Sequence, residues 1–212
     1  MYLAHWSLKS LPLENLPDSR FLFSTPRHDR ALAALSYAAR ESSEPVALCG
    51  PPGCGKTLLL RALRRGLPRE KYQVAFVPNV ACSHVGLLNR VAYHLGGGPD
   101  AERLHGPAGA AHAMDVVLRR IEAAESAEQT VVLLLDDWPA NSPARMLDQL
   151  RWLLDLDLER SRMCVLLSGE KFDLGQWPAA LAQRMSTLLE LGPIDRESLG
   201  DYLAHRMSVA GA

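Results

Sequence analysis

Five short apolar runs punctuate the chain: Val46–Cys49, the centre of 73–79, Val131–Leu135, Met163–Leu167 and Leu188–Leu191. Continuous apolar runs of this length predict strands buried on both faces, not strands with one wet face. The intervening stretches change period. Leu32, Leu35 and Ala39 recur at helical spacing, and so do Leu58 to Leu63 after the first run. A helix from about 83 to 95 carries Val85, Leu88, Val91, Ala92 and Leu95 on one face, and one from about 110 to 127 carries Met114, Val117, Leu118 and Ile121. Helix 143–154 buries Met146, Leu147, Leu150, Leu153 and Leu154, and helices follow at about 178–185 and 195–207. Strands alternating with helices predict an α/β fold, with a parallel sheet covered on both faces.

Turn-forming residues set the boundaries. Pro12, Pro17 and Pro26 interrupt residues 1–26, which read as an extended arm with short turns. Thr25 is placed as N-cap of the first helix, with Pro26 in its first turn. Pro78 ends the second strand, and Gly96-Gly97-Gly98-Pro99 breaks the following helix into a loop that runs to about Pro107. No internal repeat or low-complexity tract is present.

Composition narrows the class. The chain has 212 residues, 48% of them hydrophobic, enough for one α/β domain or one domain and part of a second. A net charge of −1 offers no broad attraction to nucleic acid or to anionic membranes. The four cysteines, at 49, 54, 82 and 164, form no C-x-x-C pair and read as reduced thiols of a cytoplasmic protein. The seven histidines have no metal-ligand spacing. The N-terminus lacks a secretory pattern, and no apolar run is long enough to span a membrane.

The chemistry concentrates at Gly50-Pro51-Pro52-Gly53-Cys54-Gly55-Lys56-Thr57, between the first strand and a helix that opens at Leu58. Strand, GxxxxGK[ST] and helix in that order form a phosphate-binding loop. Its glycines let successive N–H groups face one anion at the positive end of the helix dipole. Lys56 is placed on the β- and γ-phosphates and the Thr57 hydroxyl on Mg²⁺. Asp136 ends an apolar strand where such proteins hold Mg²⁺, and Asp137 stands where a carboxylate would polarise the attacking water. Arg184 lies between a helix and the last strand, where ring-forming ATPases place a finger for the neighbouring subunit, worth ~10³–10⁵ in rate. A solvated arginine explains that position equally well. Arg61, Arg64 and Arg65 read as a solvated helix face with no site role.

Beyond these motifs the chain resembles the AAA+ ATPases of the ExeA/GspA type, from the general secretion pathway. The likeness lies in Met1-Tyr2, Leu8-Lys9, Pro12, Pro17-Asp18 and Phe21-Leu22-Phe23, then Thr25-Pro26-Arg27-His28, Ala31-Leu32 and Leu35-Ser36-Tyr37. It continues in Val77-Pro78-Asn79-Val80, and again from Leu191-Gly192-Pro193-Ile194 through Tyr202-Leu203 to His205–Gly211. The resemblance implies a P-loop NTPase sheet of order 5-1-4-3-2, Mg-ATP as ligand and assembly into a homo-oligomeric ring. It implies a secretion-apparatus component as protein partner. It makes Asn79 a polar switch for the catalytic acid, sets His28 near the adenine and supports Arg184 as a finger. It divides the chain into an arm (1–26), a nucleotide-binding core (27–193) and the first helix of a truncated lid (194–212).

Three departures from the family pattern matter. Asp137 replaces the usual glutamate and is one methylene shorter. Ser168-Gly169-Glu170-Lys171-Phe172 replaces the usual Gly-Gln-Pro-Glu-Leu, which leaves Ser168 as the candidate sensor. The segment ending at Ala212 lacks the second sensor arginine. Three functions are therefore open: an ATPase that assembles or remodels a secretion or pilus complex, slow where Asp137 falls short of the water; a module that binds nucleotide with little hydrolysis; and a transposition-type AAA+ regulator that loads on DNA. The net charge and the lack of a basic tract count against the last.

Overall fold

The computed structural model describes residues 2–14, 18–41, 44–80, 86–98, 106–160, 162–185 and 187–211. Five strands, β1 (Val46–Cys49), β2 (Tyr72–Val77), β3 (Thr130–Trp138), β4 (Met163–Gly169) and β5 (Thr187–Glu190), form one sheet. Every pairing is parallel and the order is β2-β3-β4-β1-β5, which is the expected 5-1-4-3-2 read from the other edge. Parallel neighbours need crossovers, and helices supply them on both faces.

The period-two alternation of β3 divides the core. Val132 and Leu134 face α2 (Pro26–Glu41) and α3 (Lys56–Gly66), where Leu35, Leu59, Leu60 and Leu63 are buried. Val131, Leu133 and Leu135 face the opposite layer. That layer contains α4 (Leu87–Ala92), α5 (Gly106–Ser126), α6 (Ala144–Arg160) and α7 (Ala179–Arg184). Each fully buried leucine here stabilises the fold by about 1.5–3 kcal/mol, so the two cores fix the sheet tightly beneath the loops at its carboxyl end.

The largest departures from expectation are at helix ends. The expected helix 83–95 is α4 followed by a wide π-type turn, Tyr93–Gly97, because Gly96 sits at φ 91° and stops the helical ladder. Residues 83–85 lie outside the described set. The expected loop ends sooner, since α5 opens at Gly106. The helix expected from 195 begins at Leu199 as α8 (Leu199–Ala210). The Asp195 carboxylate accepts the Ser198 N–H at 2.7 Å, holding 195–198 in a turn and pulling the Asp195 carboxyl below the ordinary aspartate range.

The N-terminal segment is less extended than its prolines suggest. It forms α1 (Tyr2–His5) and a 3₁₀ turn at Ser19–Phe21, and it packs on α8 through Leu8, Phe21 and Ala210. Lys9 N–H donates to Ala210 O at 2.8 Å, and the Arg206 guanidinium donates to Pro12 O and Glu14 O while lying 4.6 Å over the Phe21 ring. Among the described residues no helix is long and apolar enough to cross a membrane.

Candidate functional site

The glycine loop leaves β1 at the carboxyl edge of the sheet and turns into α3. Its first glycine is set by crowding: a Cβ on Gly50 would lie 2.2 Å from the Leu191 carbonyl oxygen, where the chain leaves β5. Gly53 is at φ 81° and Gly55 at φ 93°, both in the left-handed region that other L-residues avoid. A Cβ on Gly53 would meet nothing within 4 Å, so the concave side of the loop is open. The loop thus has the form of an anion cradle at the N-terminus of an eleven-residue helix.

Lys56 folds back onto its own loop, donating to Gly50 O at 2.7 Å and Pro51 O at 3.0 Å. Pro51 and Pro52 are exposed on the rim, Cys54 is buried and Leu58 is half-buried. His28 lies under the loop, only 4% exposed. Its Nε2 is 3.0 Å from Cys54 O, an atom that can only accept, so Nε2 carries the proton. Nδ1 then accepts from the Thr25 hydroxyl at 2.8 Å. Both ring nitrogens are spent on protein partners. The ring thus props the phosphate loop from beneath, and a Cβ on Gly55 would come within 3.2 Å of it.

Across the cradle, the Asp136 carboxylate, 4% exposed, accepts two hydroxyls. Thr57 Oγ1 donates to Oδ2 at 2.9 Å, and Ser168 Oγ, fully buried on β4, donates to Oδ1. Three distant segments, α3, β3 and β4, are tied at one carboxylate. Hydroxyl and carboxylate oxygens are the hard donors that suit Mg²⁺, and no cluster of three or more His, Cys, Asp or Glu offers another metal site among the described residues. The residues present therefore fit Mg-ATP.

Asp137 shows what its position in the chain does not. Leu135 pairs with Leu167 and Trp138 with Gly169, so β3 spends three steps where β4 spends two. The extra residue is a β-bulge, with Asp137 at φ 61° and its side chain exposed. The strand therefore does not end in its two acids but continues to Trp138. The bulge also resets the alternation. Trp138 joins Leu133 and Leu135 on the far face and packs near Trp177, with ring centroids 6.0 Å apart, instead of entering the cradle behind Asp136.

Asn79 follows β2 at φ 49°, with its side chain exposed. Its carbonyl accepts from Arg90 on α4 at 3.0 Å, as does that of Pro78. Arg90, absent from the sequence-based set, holds this strand end. Arg184 has work inside its own chain: its guanidinium donates to Asp155 Oδ1 at 2.7 Å and to Leu154 O, both on α6. The first strand's thiol, Cys49, is pushed up by burial and then by the nearby Glu190 carboxylate. Cys54 and Cys164 are also buried and form no disulfide among the described residues, while Cys82 lies outside them.

Comparison with known proteins places this arrangement. A family model described as an AAA domain matches residues 39–177. General secretion pathway protein A of Aeromonas hydrophila is 28% identical over 216 residues, covering 100% of this chain and 38% of that protein. Among solved structures, Cdc6p from Pyrobaculum aerophilum superposes with a TM-score of 0.64 at 18% identity, over 90% of this chain and 53% of that one. The Aeropyrum pernix ORC1 protein, solved in complex with DNA, gives 0.63 at 16% identity, over 93% and 52%. These structural likenesses concern the fold. The chain spans well under half the length of the curated relative and about half that of the solved ones.

Proposed function

Because the chain belongs to the AAA domain family, we propose that it is a Mg-ATP-binding ATPase that supports assembly or remodelling of a secretion- or pilus-type complex. The observation that carries this reading is the joint hold of Thr57 and Ser168 on Asp136 at the mouth of the glycine loop. Gly50 to Leu58 cradle the phosphates, and Lys56 moves from the Gly50 and Pro51 carbonyls onto them. Thr57 and Asp136 would hold Mg²⁺, which would supply charge neutralisation to the phosphates. Asp137 is the general base, Asn79 its polar switch and Ser168 the sensor that reports on Asp136. His28 serves the nucleotide indirectly, by fixing the loop.

We assign the chain to a cytoplasmic ring of identical subunits with Arg184 as a finger across the subunit boundary, and the likeness to the secretion-pathway protein supports a protein partner from the secretion apparatus. For that, Arg184 must exchange Asp155 for the neighbour's nucleotide. We assign 1–26 as an arm, 27–193 as the nucleotide core and 194–212 as the first helix of a lid. A second reading, a nucleotide-dependent module with slow or no hydrolysis, is favoured by the short side chain of Asp137 on its bulge. Two measurements decide: binding of a fluorescent ATP analogue, which Lys56→Ala should abolish, and phosphate release, which separates hydrolysis from holding. Equal analogue binding by Lys56→Ala and the native chain would refute both readings.

A further inference from the structure

The edge strand β2 forms the floor of an open groove of about 1670 Å³, on the far side of the molecule's architecture from the β1 loop. Tyr72, Gln73, Val74 and Phe76 line it together. Neighbours of both parities appear, so the groove follows the edge of the strand, not one of its faces. Its walls are α3 on one side and the C-terminal end of α5, with Ala123 and Ala124, on the other.

Among the described residues no strand pairs with the outer edge of β2. Thr130 N–H donates to Lys71 O at 2.9 Å, so Lys71 points toward β3. Amide and carbonyl of one residue point to the same side of a strand and alternate along it, so Val74 and Phe76 present theirs outward. Among the described residues nothing pairs with those groups. An open edge is a template for another strand.

The charge of the groove says which strand. Arg20, Arg61, Arg64, Arg65, Arg69 and Arg120 line it against Asp18 and Glu70, an excess of four positive charges on a chain whose net charge is −1. Asp18 is already committed, to Arg20 at 2.6 Å and Arg65 at 4.0 Å. Arg64 and Arg69 are exposed and form no ion pair among the described residues. Every lining cation is arginine, whose planar fork binds carboxylates in pairs. The arginines of α3 stand over one face of an added strand; Ala123 and Ala124 of α5 lie under the other, beside Arg120, whose guanidinium already donates to Gly96 O.

We propose that this groove binds an extended peptide segment of a partner protein, with acidic and apolar residues alternating, as a sixth strand on β2. Backbone pairing supplies affinity, and the alternating side chains supply specificity. Acids face α3 and apolar side chains face Ala123 and Ala124. The site does not depend on the nucleotide assignment.

The test uses fluorescence anisotropy of a labelled Val-Glu repeat of about eight residues, a length set by the usual extent of a strand, titrated with the full chain at low salt. Saturable binding is expected. It should fall at least ~10-fold in the Arg64→Glu/Arg69→Glu variant, since two reversed charges each lose and repel a carboxylate. It should be lost when alternate peptide amides are N-methylated. That arm leaves the protein untouched, so a folding defect in the variant cannot decide the outcome. Undiminished binding of the N-methylated peptide would exclude strand addition, equal binding of a Val-Lys repeat would exclude charge recognition, and no binding would refute the site. Displacement of the peptide by an equimolar oligo-dT would show a nucleic-acid groove and overturn the proposal.

Discussion

Replacing Asp137 separates its backbone strain from its chemistry. Its φ of 61° costs an L-residue roughly 1–2 kcal/mol, whereas glycine adopts that backbone freely and loses about 0.5–1 kcal/mol of extra chain entropy on folding. Asp137→Gly should therefore gain on the order of 0.5–1 kcal/mol and raise Tm by about 1–4 °C, a shift scaled for a chain of this size. The same change removes the proposed base and should slow hydrolysis by ~10²–10⁴. Asp137→Asn keeps a side chain that tolerates the left-handed region, so it should lose the rate with Tm unmoved. Asp137→Glu adds on the order of 1.5 Å of reach; since ~1 Å of misplacement can cost ~10²-fold, hydrolysis should speed up by about tenfold. Its longer side chain suits the bulge less well, so Tm should fall. Single-turnover hydrolysis at saturating Mg-ATP and calorimetry read the two quantities separately. If Asp137→Asn turns over like the native chain, Asp137 is not the base. If Asp137→Gly melts lower, the bulge is not strained.

Four further outcomes are expected. Lys56→Ala should lose ~10-fold or more in ATP affinity with an unchanged circular dichroism spectrum, because its two loop hydrogen bonds are to carbonyls near the surface. Ser168→Ala leaves one oxygen of the buried Asp136 carboxylate unpaired, so calorimetry should show about 1–3 kcal/mol of lost stability and titration a weaker dependence on Mg²⁺. Arg184→Ala should abolish ATP-promoted larger species in sedimentation, while Asp155→Ala, which frees the guanidinium, should enhance them; if native chain sediments as a monomer with and without ATP, the finger role fails. Cys49 should resist iodoacetamide in the native protein at neutral pH and react fully in denaturant, because burial raises its thiol; mass spectrometry of the 49 peptide checks this.

The sheet and the glycine loop were legible because both are written locally. β1, β3 and β4 are built on continuous apolar runs, and the loop's glycines, Lys56 and Thr57 are neighbours in the chain. The strand order came from the family resemblance, since crossover helices alone leave several orders open. What escaped depends on long-range partners. No local pattern pairs Arg184 with Asp155 or carries Arg90 to the Pro78 and Asn79 carbonyls. The resemblance sets His28 near the adenine, and only the fold adds Cys54 O against its ring. The bulge was hidden for a different reason. Asp137 lacks the glycine that often marks one, and two acids after an apolar run look like the end of a strand.

The bulge carries a further consequence, in terms of chain length instead of residue type. Because faces alternate along a strand, the one added position at 137 is what sends Asp136 toward the phosphate loop and Trp138, two places on, to the opposite layer. Any residue that tolerates the left-handed backbone at 137 preserves that division. Straightening the strand with all its residues kept does not: the Trp138 indole, now hydrogen-bonded to Ser142 at 2.8 Å and set beside Trp177, would turn toward the nucleotide side, whereas deleting position 137 closes the bulge and leaves Trp138 opposite Gly169 on its own face. The pairing of β3 with β4 can therefore lose position 137 without turning either neighbour, and what such a deletion removes is the looped-out Asp137 itself.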